Sequence, residues 1–231
     1  MFSLFGSCRI HNVGNNNYIN MDVTFTHNTK EVIQLLQFLQ GEKEMPEPYN
    51  RVCFRTPIDK QWTHGITLTE GRKDCFNTTK VFIIEICSRK KYIHNGYYLH
   101  HLAVDEQFKN TQLTPEYIKQ EYTIVKQSDE EIEEDIEEIR RIIFPRNLVI
   151  VSHYDAKLHG EYIPDRHNLI QLVKDICSRK HIPFINPTDV LCSYPQDTVV
   201  QADLGHYTPL GQTTMKNYIY NFATDVYNTN R

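Results

Sequence analysis

A hydroxyl, an imidazole and a carboxylate held in line can move an acyl group, and this chain offers such a set in two distant segments. Ser7 follows Phe5-Gly6, and Asp203-Leu204-Gly205-His206 lies almost two hundred residues further on. A Ser hydroxyl is a poor nucleophile at neutral pH; it needs an adjacent base, and the base needs an orienting group. The spacing Asp203-x-x-His206 places both within one short turn. Asp203 would fix the ring tautomer and stabilise the imidazolium, while Ser7 meets the other ring nitrogen. Gly6 lets the backbone turn sharply, so the Ser7 N–H is also an expected oxyanion donor. Taken singly, Ser7 is a turn or N-cap residue, His206 a structural histidine and Asp203 a helix cap; their pairing points to chemistry.

Other reactive groups fall near the same places. Cys8 adjoins Ser7 and is the rival nucleophile; it is read as a buried, inert thiol. Arg9 and Arg89 carry a bidentate fork suited to a substrate carboxylate or phosphate, or equally to a structural ion pair. Ser88 follows the apolar run Lys80–Cys87. His153 and Asp155 follow the run Asn147–Ser152, and Arg166 opens the next helical stretch, so these are expected to line a pocket. No metal is expected. None of the six Cys forms a C-x-x-C pair, the eleven His form no run, and no further ligands accompany His153 and Asp155.

The elements that would position these groups alternate in type. Phe2–Phe5 reads as a buried strand ending in a turn. Thr29–Leu39 has apolar residues at Val32, Ile33, Leu35, Leu36 and Leu39, a helical spacing closed by Gly41. Glu42–Lys60 holds three Pro and no period, and reads as a long loop. Lys80–Cys87 is the expected central strand, Tyr92–Leu102 an irregular aromatic and His-rich lobe, and Thr114-Pro115 a helix start. The aromatic lobe is suited either to stacking on a sugar or to plain packing. Ser128-Asp129-Glu130-Glu131 is a capping box opening a helix with Ile132, Ile136, Ile139 and Ile143 on one face. Its acidic run is a helix N-terminus rather than a metal or partner site, with Arg140 and Arg141 at the other end. Then follow strand Asn147–Ser152, helix Asp165–Arg179, short strand His181–Ile185, and a closing helix within Tyr207–Tyr227 with Met215, Tyr218, Ile219 and Phe222 inward. Strand–helix alternation implies parallel strands with crossover helices. The expected fold is a three-layer α/β/α sandwich with a central, mainly parallel sheet. It is read as a single domain over 1–231 with inserted regions at about 42–78 and 90–127. In such sheets ligands bind beyond the carboxyl ends of the strands, where Ser7, Ser88, Arg89 and the Asp203–His206 turn all fall.

Phe5-Gly6-Ser7-Cys8-Arg9 together with Ala202–Gln212 (ADLGHYTPLGQ) resembles the SGNH (GDSL-like) hydrolase superfamily. The first block is similar to the branch reading G-S-C rather than G-D-S, found among polysaccharide-modifying proteins. The resemblance implies a flavodoxin-like fold and ester hydrolysis or acyl transfer, often on glycans. It gives Ser7 the role of nucleophile, Asp203 and His206 the D-x-x-H block, and Gly211 the trailing glycine. Two departures concern the oxyanion hole. The superfamily supplies a Gly from a second block and an Asn from a third, whereas the third-block position here reads Glu85-Ile86-Cys87-Ser88-Arg89. Ser88, Arg89 or Asn95 are the expected substitutes there, and Asn28 (within Thr26-His27-Asn28) or Gly65 those for the second block. Loss of one oxyanion donor costs about 10²–10³ in rate.

Three functions are therefore open. A serine esterase, a deacetylase of an acylated sugar or glycan, would need no cofactor. An acyltransferase on the same residues would take an acyl donor such as acetyl-CoA. A non-catalytic glycan-binding protein would merely keep the fold. A net charge of −4 gives no basic field for nucleic acid. No stretch approaches the length of a membrane span and no signal peptide is visible, so the expected compartment is the cytoplasm with reduced thiols.

Overall fold

The computed structural model describes residues 1–13, 19–20, 25–54, 65–105 and 114–229. In chain order the elements are β1 (Phe2–Phe5), α1 (Cys8–Val13), β2 (Ile19–Asn20), α2 (Thr29–Gln40), α3 (Tyr49–Val52), α4 (Glu70–Thr78), β3 (Val81–Ile86), β4 (Lys90–His94), β5 (Tyr97–Leu99), α5 (Glu116–Glu121), β6 (Thr123–Lys126), α6 (Asp129–Ile143), β7 (Asn147–Ser152), β8 (Lys157–Leu158), β9 (Glu161–Tyr162), α7 (Pro164–Lys180), β10 (Phe184–Ile185), α8 (Pro187–Val190), α9 (Gln196–Val199) and α10 (Pro209–Thr229). They form two compact units. The first comprises Met1–Met21, Thr79–Ser88 and Ile143–Arg231, the second Asp22–Thr78 and Arg89–Ile142.

The first unit is built on a parallel sheet in the order β10-β7-β3-β1-β2. Its central strands are continuous apolar runs because both faces are covered: every residue of β1 and β3 is buried. Numbered along this sheet alone, the strand order is 2-1-3-4-5, the flavodoxin-like arrangement. Phe2, Leu4, Val81, Ile83, Val149, Val151 and Ile185 point to one face, where they pack with Ile10 and Val13 of α1 and Met215, Ile219 and Ala223 of α10. Helix α7 packs on β7 and β10 and buries Leu169, Ile170, Val173 and Ile176. The fold class is thus the expected one, α/β with a central parallel sheet flanked by helices. Tyr218 departs from expectation. The buried line of α10 runs through Met215, Ile219 and Ala223, at four-residue steps, which leaves Tyr218 exposed and stacked on Phe222.

The second unit holds α2, whose N-cap Asn28 accepts from the Glu31 N–H and whose C-cap is Gly41. It also holds α6, opened by the Ser128 hydroxyl accepting from the Glu131 N–H, with Ile132, Ile136 and Ile139 buried. Thr29, Gln127 and Asp135 form a closed, buried hydrogen-bond triangle in this unit, completed by the Lys30–Asp135 ion pair. The region expected to be irregular is instead an antiparallel sheet, β5-β4-β6. Its hairpin turns at Asn95-Gly96, both at positive φ. Within the expected loop Glu42–Lys60 lies α3, and residues 55–60 fall outside the described residues. The expected insertions 42–78 and 90–127 lie in this unit, apart from 55–64 and 106–113, which are not described. Among the described residues no helix is long and apolar enough to cross a membrane.

Candidate active site

Strand β1 delivers Gly6-Ser7-Cys8-Arg9 to the carboxyl edge of the sheet, beside β3. This is the switch point of the strand order, where such folds bind ligands. A Cβ on Gly6 would lie 2.4 Å from Ile10 Cγ2 and 2.7 Å from Glu85 Cβ, so only glycine allows this approach to β3. The Ser7 N–H donates to Glu85 Oε2 at 2.8 Å. The Ser7 side chain is turned inward, 6% exposed, and its hydroxyl has no hydrogen-bond partner among the described residues. Cys8 is exposed, and its Sγ lies 3.0 Å from His206 Nε2.

The expected pairing of Ser7 with His206 is therefore corrected: the structure brings Cys8 to the imidazole. The reason is local. One N–H of the turn is fixed on Glu85, which sends the seventh side chain toward the core and the eighth toward the rim. The same bond takes the Ser7 N–H away from the oxyanion role expected of it. The expectation that Cys8 is buried is overturned: it is exposed, with Sγ against the imidazole.

His206 is held as a base should be. Its Nδ1 lies 2.6 Å from Asp203 Oδ2, while Asp203 Oδ1 accepts the N–H groups of Gly205 at 2.8 Å and His206 at 3.0 Å. Partial burial tends to raise the Asp203 pKa, but these hydrogen bonds outweigh it and hold the carboxyl down at about 2. Leu204, inside the turn, sits at φ 55, an uncommon region for a branched side chain. The backbone is held there by Leu204 N–H donating to Gln201 O at 2.9 Å and by Arg166 Nη1 donating to Leu204 O at 2.6 Å. Gly211, the expected trailing glycine, has a packing role. A Cβ there would lie 2.2 Å from Val199 O, so the first turn of α10 could not close on the end of α9.

Beneath the turn is a buried ionic centre that sequence reasoning missed. Glu85, on β3, is 1% exposed and accepts from the Ser7 N–H, from Arg9 Nε at 3.0 Å and from Arg9 Nη2. Arg9 Nη1 reaches Gly205 O at 2.8 Å and bonds His153 Nε2. Burial, the largest single influence, works against the Arg9 charge, but Glu85 together with Cys87 and Tyr207 outweighs it and raises the pKa. His153 is also buried. Burial, with the Arg9 and Arg166 charges, pushes it well below 6.5, so it is neutral. Its Nδ1–H donates to Tyr154 O at 2.9 Å, leaving Nε2 to accept from Arg9. His153 and Arg9 thus brace the turn from below. Arg166 is half-buried; burial, then Arg9, lowers its pKa. Asp155 pairs with His167 Nδ1 at 2.6 Å, on which Tyr162 stacks. The signal for Glu85 was present: a carboxylate inside VFIIEI must find a partner when the strand is buried on both faces.

A family model described as the TviD N-terminal domain matches residues 2–122 and 111–222, nearly the whole chain. The chain belongs to the TviD N-terminal domain family. Over 91% of its length it is 26% identical to the Vi polysaccharide biosynthesis protein TviD of Salmonella typhi, and it spans 30% of that relative's length. Among solved structures it is similar to a family 3 carbohydrate esterase of Clostridium thermocellum, with TM-score 0.41, 10% identity and coverage of 99% of this chain and 96% of that one. An inhibitor-bound aryl esterase of M. smegmatis gives TM-score 0.39 at 10% identity, covering 97% and 99%.

In this TviD-type chain the remaining sequence candidates have local partners. Ser88 stands half-buried just past β3. In the second unit, Asn28 caps α2 and donates from Nδ2 to Glu31 Oε1 at 2.7 Å and to Lys90 O at 2.9 Å. Arg89 pairs with Asp129. Asn95 forms the β4–β5 turn, and Gly65 packs against the Asn50 side chain.

Proposed function

We propose that this chain moves an acyl group on a sugar or glycan through a thioester on Cys8, with His206 as base and Asp203 as its orienting group. The observation that carries the reading is the line of contacts Cys8 Sγ–His206 Nε2 (3.0 Å) and His206 Nδ1–Asp203 Oδ2 (2.6 Å) at the switch point of the sheet. His206 Nε2 takes the Cys8 proton as Sγ attacks the acyl carbonyl, and returns it to the leaving group as the tetrahedral adduct collapses. A hydroxyl then attacks the acyl-cysteine. His206 takes that proton and passes it to the departing thiolate, which regenerates the free enzyme. Asp203 keeps Nε2 free of hydrogen in the resting ring and stabilises the imidazolium.

Similarity to a polysaccharide biosynthesis protein favours acyl transfer onto a glycan hydroxyl over hydrolysis, with a donor such as acetyl-CoA. Hydrolysis is the same chemistry with water as acceptor. Incubation with acetyl-CoA or p-nitrophenyl acetate, followed by intact and peptide mass spectrometry, tests the reading. One hydroxylamine-labile acetyl group is expected on Cys8, formed from acetyl-CoA and discharged faster by glycan than by water. Acetylation by the aryl ester alone, discharged by water, would mark an esterase. No acyl-cysteine from either donor, beside unchanged glycan binding, would leave a non-catalytic binding protein.

A further inference from the structure

The second unit contains a cluster that the acyl chemistry does not use. His27 stands just before α2, and His100 and His101 follow β5. Each ring offers one nitrogen, and the three nitrogens lie within 4.8 Å of one another. The His27 ring meets His100 and His101 edge-on at centroid distances of 4.8 Å and 4.4 Å, and His100 stacks on His101 at 4.6 Å. Three imidazole nitrogens this close can share one cation.

From this juxtaposition we propose that His27, His100 and His101 bind one divalent transition-metal ion of the zinc class, tying the start of α2 to the end of β5. Three imidazole nitrogen donors suit Zn²⁺ and its borderline neighbours rather than Mg²⁺ or Ca²⁺. A second observation supports the site. Glu31, 4% exposed, accepts from both the His27 backbone N–H at 2.8 Å and His27 Nδ1 at 3.2 Å, and its other oxygen accepts from Asn28 Nδ2. A carboxylate fixed on Nδ1–H sets the tautomer that leaves Nε2 free to ligate, the usual support of a metal-bound histidine. Glu31 also brings negative charge to His27. His100 Nδ1 accepts from the Leu102 N–H at 3.1 Å, which fixes the ring's orientation. His27 and His101 are partly exposed, which gives the ion an entry path.

The test uses the full chain, stripped with a chelator and dialysed against micromolar Zn²⁺ or Co²⁺. One ion per chain is expected by elemental analysis, with a rise in melting temperature. The Co²⁺ form should show four- or five-coordinate visible bands without the near-ultraviolet charge transfer of a thiolate ligand. Cys8→Ala should keep the ion, and His27→Gln with His101→Gln should lose it. Sub-stoichiometric metal in the wild type, a thiolate signature, or full retention by the double variant would each overturn the proposal. Should the double variant not fold, the wild-type stoichiometry and cobalt spectrum decide alone.

Discussion

Exchanging each of two adjacent residues for alanine separates a thiol mechanism from a hydroxyl mechanism. Ser7 Oγ is buried without a partner among the described residues, and such a hydroxyl costs about 1–3 kcal/mol relative to one left in water. Ser7→Ala removes one oxygen, hence that penalty, and leaves a void smaller than a methyl group. A net gain of about 1 kcal/mol is expected, a rise of about 2–4 °C in Tm for a chain of this size. Its turnover should stay within a few-fold of wild type, since no bond to His206 is lost. Cys8 is exposed, so Cys8→Ala should shift stability by no more than about 0.5 kcal/mol. Removing the nucleophile should lower turnover by a factor on the order of 10⁶, the loss seen when a triad loses its attacking atom. Scanning calorimetry and p-nitrophenyl acetate turnover, with acyl-enzyme mass as a second readout, measure both. The reasoning is refuted if Ser7→Ala abolishes turnover while Cys8→Ala keeps it, because the side chain now turned inward would then be the one that reacts.

The buried ionic centre and its neutral histidine give two further expectations. Arg9→Met leaves the Glu85 carboxylate buried beside a single N–H and should cost about 3–5 kcal/mol by chemical denaturation, whereas Arg9→Met with Glu85→Leu should recover most of that. The recovered double variant should remain slow, with kcat lowered more than KM is raised, because nothing then holds Gly205 O. His153 has its folded pKa well below 6.5, so the unfolded chain binds a proton that the folded chain refuses. Its share of stability is full above pH 6.5 and is lost as pH falls from there toward the folded pKa. His153→Gln keeps an acceptor for Arg9 and a donor for Tyr154 O. It should flatten the acid side of a stability–pH profile by up to about 1.4 kcal/mol per pH unit.

The parallel core was open to sequence reading because strands buried on both faces leave no polar alternation to misread: FSLF, VFIIEI and NLVIVS are β1, β3 and β7. The helix closed by Gly41 and the helix opened by the capping box at Ser128 were equally plain, whereas Asn28, the N-cap of the first, reads as an oxyanion candidate. The hairpin at Asn95-Gly96 carried its turn dipeptide, but aromatic and histidine residues around it mask the two-residue period, and the lobe reads as irregular. The Asp203–His206 pair was legible because three residues are enough for a turn to close on its own side chain. The histidine cluster was not: His27 and His100 are seventy-three positions apart, and no spacing rule joins them.

In the proposed reading, which of the two adjacent side chains faces His206 is set not by the G-S-C motif but by Glu85, seventy-eight positions from Ser7. Ser7 stands between β1 and α1 and Cys8 opens α1, and of the two it is Cys8 whose Sγ lies against His206 Nε2. Glu85 makes the choice by accepting the Ser7 N–H and by pressing against Gly6, where any side chain would force the turn outward. Arg9 then has to lie under the turn to neutralise Glu85, and once there it reaches Gly205 O and sets the height of the His206 loop. The same carboxylate makes its own place on β3 unsuited to stabilising an oxyanion. Glu85 carries no hydrogen to donate, whereas the asparagine expected at that block would donate one.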